Sequence, residues 1–535
     1  MLLRSLFILL VTNIFVLCAC LPNLDSRTSA NEIANRIVYG LTLQPSGFDP
    51  HINRSSELGI PLRQVYDTLV YRDPESNAFV GGLATDWAIS EDGLIYTFNL
   101  RQDVVFHDGT PFNAQAVGVN LDRIVAPETG SQLAAFLLGP YAGYEIVSDY
   151  SIRLLLTQPY SPLLDSLAQV YLGIASPTAL NEYSDNRYQF HQVGTGPFRF
   201  VEYVPGDHIL LQRNPDYAWG PAFYQPSTEN SVGEIEFRFF TDPPTRTLAL
   251  ESGEAQVMGE LLPTDGRALT GNSSIQLVPQ AVPGQPLQFL MNTQRFPTDS
   301  RGVRQALIFG ANRNAIVDAV FQQFSPVAWG PLAANTLYYD RSVQGLYAHD
   351  IGQAQALLDA EGYEDTDNDG FRDVAGVTLS VDVIVPPWGL APEVAQLLQD
   401  QWRTIGIQAV LVPVPTFGAL LEAVDSGEYN LVAFNTYGLD PAFLNDFYLS
   451  DGVNNFTGFA SEELDNALLE AIRQTDPGVR AAYYARAQNM IMDEALLVPI
   501  RDQVNLNASS AAVSGLAFDP YGWFPLLNNV QLVTG

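Results

Sequence analysis

The sequence predicts an α/β fold divided into more than one large unit. Three observations carry this. Strand-like alternation and helix-like periodicity follow one another along the chain, the pattern of helices laid on the faces of a sheet. The chain has 535 residues, beyond the roughly 250–300 at which single cores stop growing. The Pro- and Gly-rich stretch Val278 to Pro286 reads as a connector between large units.

The elements follow in chain order. Arg4 supplies a small positive start, and Leu6 to Leu17 is apolar except for Thr12 and Asn13. About 12 apolar residues suit a signal-peptide core and fall short of the roughly 20 a membrane span needs. Leu17-Cys18-Ala19-Cys20 then resembles a bacterial lipobox, with the small Ala19 before the lipid-accepting Cys20. Residues 1–19 are thus expected to be a lipoprotein signal peptide, and 20–35 a polar, flexible tether. Both cysteines of the chain lie at this junction, which excludes a disulfide framework or CxxC site in the body. Leu94 to Arg101 puts Leu94, Tyr96, Phe98 and Leu100 on one face and reads as a half-buried strand. Asp108-Gly109 is a turn, and Asn113 caps a helix running to about Ile124. Leu379 to Val385 is a strand, Pro392 begins a helix ending near Gly406, and Ile407 to Val412 is the next strand. Gly427 ends a further helix, and Asn430 to Phe434 is the strand after it.

Composition narrows the function. The chain is 47% hydrophobic and 16% charged, as globular proteins are. Its net charge is −33, and removing Arg4 with the signal makes it −34. Such a surface repels phosphates, so no nucleic-acid partner is expected. All 26 basic residues are arginine, which excludes Schiff-base chemistry and a P-loop. His51, His107, His191, His208 and His349 form no i, i+4 pair and no HExxH, so a catalytic zinc has no support, and no cofactor is expected. Asp365, Asp367 and Asp369, followed by Gly370, match the first half of a calcium loop, but position twelve is Gly376 where a bidentate Glu is needed. The stretch is a weak calcium candidate or a solvated turn.

Ordered blocks carry a resemblance. Phe48-Asp49-Pro50-His51 matches an "LDPH" block, Leu69-Val70-Tyr71 a "gLv" block, and Gly82 to Trp87 a "P-x-LA-x-sW" block. Ser90 to Pro111 matches the long signature that ends in "FHDGxP". Gly194 to Phe198 matches "GTGPF", Arg213 to Tyr217 "RNPdYW", Asn292-Thr293 with Val303 to Leu307 "fNt…vRqAl", and Ala356 to Tyr363 "AxxLLxxaGy". In this order they resemble the family 5 extracellular solute-binding proteins of ABC importers, which include peptide- and nickel-binding members. The resemblance covers nearly all of the chain after the signal.

The resemblance implies a two-lobed, periplasmic-binding-protein-like α/β fold. Residues 36–286 would form lobe I with an insertion subdomain at about 61–189, 287–499 lobe II, and 500–535 a return to lobe I. It implies a monomeric, non-catalytic protein, exported, held at the membrane by lipid on Cys20 and facing the periplasm or cell exterior. This protein would capture a small polar ligand, an oligopeptide or dipeptide, and deliver it to ABC permease and ATPase subunits. Alternatives are an oligosaccharide or nickel chelate as ligand, or a ligand-sensing lobe serving a receptor. An extracellular hydrolase with paired carboxylates is a further class, for which no nucleophile–base constellation appears. FHDGTPF is read as turn chemistry, and Gly194-Thr195-Gly196-Pro197 as backbone turning at a lobe crossover.

Ligands of α/β sheets gather beyond the carboxyl ends of strands. Asn435 to Pro441 is read as the loop beyond the strand Asn430 to Phe434. In peptide-binding relatives this loop carries an aspartate for the peptide ammonium, and here Tyr437 stands where that acid is expected. Asp440, before Pro441, takes over the pairing or is an ordinary Asp-Pro turn. Trp388 offers an apolar face to the ligand or to packing. The ligand-binding candidates are therefore Asp440, Tyr437, Asn435, Trp388, Trp329 and Asn292.

Overall fold

The computed structural model describes residues 35–45, 47–183, 187–225 and 231–533. The expected signal peptide, Cys20 and nearly all of the tether lie outside the described residues. Two separate sheets organise the rest. The first has seven strands in the order Ile275–Ala281, Val504–Ser510, Val257–Met258, Arg36–Leu41, Glu234–Phe239, His208–Arg213 and Phe198–Val204. The second has five, in the order Gln408–Pro413, Ser380–Val385, Leu431–Tyr437, Gly284–Met291 and Leu497–Arg501. Each sheet sits against its own large hydrophobic cluster, so the molecule has two main cores. The α/β, two-lobed class is what the sequence led us to expect.

A third, antiparallel sheet of four strands, Ala84–Ile89, Ile95–Leu100, Ser151–Leu156 and Tyr141–Ser148, lies within the first half of the chain. Its second strand buries Tyr96, Phe98 and Leu100, the face the alternation singled out. Asn113 accepts a hydrogen bond from the Ala116 amide and starts the helix Ala114–Val125. The helix Ala391–Arg403 starts one residue before Pro392 and buries Val394, Ala395, Leu398 and Trp402 on one side. That spacing follows the helical period and explains why the segment covers the second sheet.

Two expectations need correction. The stretch Val278 to Pro286 does connect the two sheets, but not as an unpaired linker: Ile275–Ala281 pairs in the first sheet and Gly284–Met291 in the second. Only Val282 and Pro283 lie between them, because the main-chain groups of their neighbours are taken up by ladders. Pro286 is tolerated at an irregular register between Gln285 and Gln288. The chain returns through Asp502-Gln503, and the Val282 amide donates to the Gln503 carbonyl at 2.9 Å. The two crossings are thus adjacent and short, the arrangement of a hinge.

The second correction concerns Gly194 and Gly196, which are not at a crossover. They pack under the end of the helix Ser56–Val65, where an added Cβ at Gly194 would lie 2.1 Å from the Val65 carbonyl oxygen. The need there is close backbone approach. His107 donates its amide to Gly194, and its ring contacts the Gly196 carbonyl at 2.9 Å. Asp108 accepts from the Thr110 amide and from the Ser176 hydroxyl, so the FHDG block is a tied-down turn.

Candidate functional site

The strand Leu431–Tyr437 runs parallel to Ser380–Val385 and antiparallel to Gly284–Met291. It extends three residues past the expected end, so Asn435, Thr436 and Tyr437 are strand residues. Continued pairing to Gln285 and Gly284 is the cause. Beyond its carboxyl end, Gly438, Asp440, Ala442, Phe443, Asp446 and Phe447 line one wall of a cavity of about 340 Å³. The opposite wall comes from the first half of the chain: Arg54, Gln132, Leu133, Phe136, Leu137, Tyr160, Asp165, Ser166 and Gln169. The volume lies at the lower end of the roughly 300–1,000 Å³ typical of small-ligand sites.

The walls are mainly apolar and aromatic. Phe434 contacts Phe447 and Phe456 with ring centroids 5.2 and 5.6 Å apart, and Phe417 follows at 6.3 Å. The Arg54 guanidinium lies 5.0 Å from the Phe417 centroid and reaches across from the other wall. The Tyr171 and Tyr437 hydroxyls meet at 2.7 Å, and the Tyr171 hydroxyl donates to the Ser55 carbonyl. Ser161 donates its amide and its hydroxyl to the Ile472 carbonyl at 2.8 and 3.0 Å. These contacts tie the two walls together, and the cavity lies between them, partly open to solvent.

Three carboxylates reach the cavity. Asp440 is 4% exposed and pairs at 2.8 Å with Arg480, itself 7% exposed. The Arg480 guanidinium also donates to the Ala471 carbonyl and stacks near the Tyr338 and Tyr484 rings. Burial alone would lower the Arg480 pKa, but the Asp440 charge outweighs it and holds the guanidinium protonated. Asp440 also accepts from the Ala442 amide, so the Asp-Pro turn and a charge pairing coexist. Asp165 is held by Arg72 at 2.5 Å and by the Tyr521 hydroxyl at 3.0 Å. Its carboxyl is nevertheless raised above the usual range, first by burial. Asp446 is also raised, to about 6, by burial alone.

Of the six sequence candidates, Tyr437 and Asp440 come together on the cavity lining. The other four do not line it. Asn435 donates to the Gln503 side chain at the second crossing. Asn292 bonds the Tyr429 carbonyl and the Gln294 amide and organises a buried turn. Trp329 lies under the Arg313 guanidinium at 4.5 Å. Trp388 is half-buried against the second core. Arg54, Asp165 and Asp446 were missed. Arg54 and Asp446 lie in segments with no turn or strand-end signal, and Asp165 lies in the half of the chain where no loop pointed to a site.

The acidic turn differs in detail from the expected ligand set. Asp365, Asp367 and Asp373 place oxygens within 4.8 Å of one another. Asp369 instead accepts from the Phe371 amide, and Asp365 from the Asn368 and Gly370 amides. Exposed Asp and Asn residues satisfy a tight turn in this manner without an ion.

The model of the bacterial extracellular solute-binding proteins, family 5 (middle region), matches residues 78–456, more than half of the chain. The chain belongs to the family 5 solute-binding proteins. It is 26% identical to the di/tripeptide-binding protein 1 of Pseudomonas aeruginosa, over 91% of this chain and 93% of the relative. It is 27% identical to the dipeptide-binding protein of Escherichia coli, over 92% and 94%. Among solved structures, NikA from Brucella suis in complex with Fe(III)-EDTA superposes with a TM-score of 0.82 at 22% identity, covering 93% of this chain and 99% of that one. Family 5 members are solute-binding proteins. No helix among the described residues is long and apolar enough to cross a membrane.

Proposed function

We propose that this family 5 protein is the exported, lipid-anchored binding subunit of an ABC importer, and that it captures a short peptide between its two halves. The partly open cavity of about 340 Å³, built from both halves beside two short adjacent crossings, carries the reading. A guest there is buried by aromatic faces and oriented by few polar groups.

Residues 36–286 serve as lobe I, with an insertion at about 61–189, 287–499 as lobe II, and 500–535 as the return. Tyr437 and Asp440 face the ligand, while Asn435 acts at the crossing. Trp388, Trp329 and Asn292 support the loops around it. Processing before Cys20 leaves a monomer tethered by lipid, which hands its ligand to permease and ATPase subunits. Peptide is favoured by the curated relatives named for di- and tripeptides. Calorimetry of di- to pentapeptides against the purified protein tests this. Micromolar binding without cleavage is expected, and silence across the panel with binding of a sugar or metal chelate overturns the peptide reading.

A further inference from the structure

Two carboxylates meet inside the first half of the molecule, and neither lines the cavity. Glu57 stands in the first turn of the helix Ser56–Val65, and Glu260 follows the strand Val257–Met258. Thr42, just past the neighbouring parallel strand Arg36–Leu41, joins them: its amide donates to Glu57 and its hydroxyl to Glu260 at 2.5 Å. Burial first, and the Glu260 charge second, hold the Glu57 carboxyl above its ordinary range. The Arg246 charge reaches both groups, but its donors go to the Phe240, Thr241 and Glu260 carbonyls. Two further oxygens face the same place. The Tyr39 hydroxyl is 0% exposed, feels both glutamate charges and has no hydrogen-bond partner among the described residues. The Asn507 side-chain oxygen is equally buried and unpartnered, while its nitrogen donates to the Asn505 carbonyl. Both oxygens flank Gly259, where an added Cβ would stand 3.3 Å from the Asn507 oxygen and 3.6 Å from the Tyr39 hydroxyl. Glu260, the next residue, is half-buried and holds a left-handed φ of 49°.

Buried oxygens without partners are rare in native proteins, and buried carboxylates without a counter-charge are costly. A proton shared by the two carboxyls would settle them but leave the Tyr39 and Asn507 oxygens unpaired. A set made only of carboxylate, amide and hydroxyl oxygens suits a hard cation. We infer that Glu57, Glu260 and the Asn507 oxygen hold a calcium-type cation, with the Tyr39 hydroxyl bonded to the water that completes its shell. The ion would fasten the returning strand Val504–Ser510, which carries Asn507, to the strand Arg36–Leu41 and the helix Ser56–Val65. The site stands whatever guest the cavity takes.

The test titrates calcium chloride into the chelator-stripped, full-length protein by calorimetry at pH 7.5. Wild type is expected to bind calcium with a dissociation constant of about 1 mM or tighter, the range of extracellular calcium modules. Glu57→Gln/Glu260→Gln should bind at that site at least ~10-fold more weakly, since affinity follows the ligand charge. Glu260→Gln alone, at the half-buried position, serves should the double variant melt early. The Asp365→Asn/Asp367→Asn variant, altered in the acidic turn, should bind as wild type does. Calcium should raise the melting temperature of wild type and leave that of the glutamate variants unchanged. Binding that survives in the glutamate variants and vanishes in Asp365→Asn/Asp367→Asn places the ion on the acidic turn and overturns the inference. Wild type that binds no calcium overturns it too; a melting temperature higher at pH 5 than at pH 7.5, with that difference lost in Glu57→Gln/Glu260→Gln, would then mark a shared proton instead.

Discussion

Replacing Asp440 with alanine tests whether its charge belongs to the fold. The pair with Arg480 is 2.8 Å long and its side chains are 4% and 7% exposed, so solvent screens it little. Without Asp440, Arg480 keeps the Ala471 carbonyl and the Tyr338 and Tyr484 faces, but its charge stays buried without a counter-ion. Breaking such a pair from one side costs about 3–5 kcal/mol. The two halves have separate cores, which breaks a single two-state transition, so the loss is read locally. Native-state hydrogen exchange of amides in the helices Glu462–Arg473 and Pro477–Asp493 should quicken by roughly a hundredfold to several thousandfold. The double variant Asp440→Leu/Arg480→Met should recover most of the protection, since an apolar replacement of the whole pair is often neutral. A loss below about 1 kcal/mol, the range of surface pairs, would refute the reasoning and leave Asp440 free to serve the ligand.

Further outcomes follow from the same geometry. Burial raises the folded Asp446 carboxyl to about 6, above its unfolded value, so its ionisation destabilises the empty protein. That cost is absent below about pH 4, grows as pH rises through 6 and is complete above it. Asp446→Asn should therefore stabilise the unliganded protein by a few kcal/mol at pH 7.5 and not at pH 4, read by chemical denaturation at both. Arg54, Tyr160, and the Asp440–Arg480 and Asp165–Arg72 pairs share this cavity, and an unchanged difference across that range would assign the effect to them. Tyr437→Phe removes the hydroxyl contact to Tyr171, worth about 1 kcal/mol, and should weaken ligand binding about fivefold with little change in melting temperature. A large melting shift with unchanged affinity would contradict that. Gly194→Ala drives a Cβ into the Val65 carbonyl and should cost about 2–4 kcal/mol in unfolding free energy; a neutral result would disprove the close approach.

Local elements were legible because local chemistry makes them. The Asn113 cap, the buried face of Tyr96, Phe98 and Leu100, and the helix ending before Gly406 each follow from neighbours in sequence. Strand ends were less legible. Tyr437 continues a strand only because Gly284, more than 150 residues earlier, pairs with it. The site was half legible. The carboxyl-end rule placed Tyr437 and Asp440 on the cavity, but the partner of Asp440 lies 40 residues on and that of Asp165 lies 93 residues back. Nothing in Phe443-Leu444-Asn445-Asp446-Phe447 marks Asp446 as unmatched, because a missing counter-charge is a property of the assembled walls.

The central claim is that two halves close on an unaltered guest. Single-molecule energy transfer tests it most directly, with donor and acceptor on cysteines placed at the exposed Glu91 and Asp400 and with Cys18 and Cys20 replaced by serine. Addition of a dipeptide pool should move the population to one high-efficiency state, reversed on dilution, with the recovered peptides intact. An efficiency distribution that ignores the bound ligand, or peptides returned cleaved, would contradict the account.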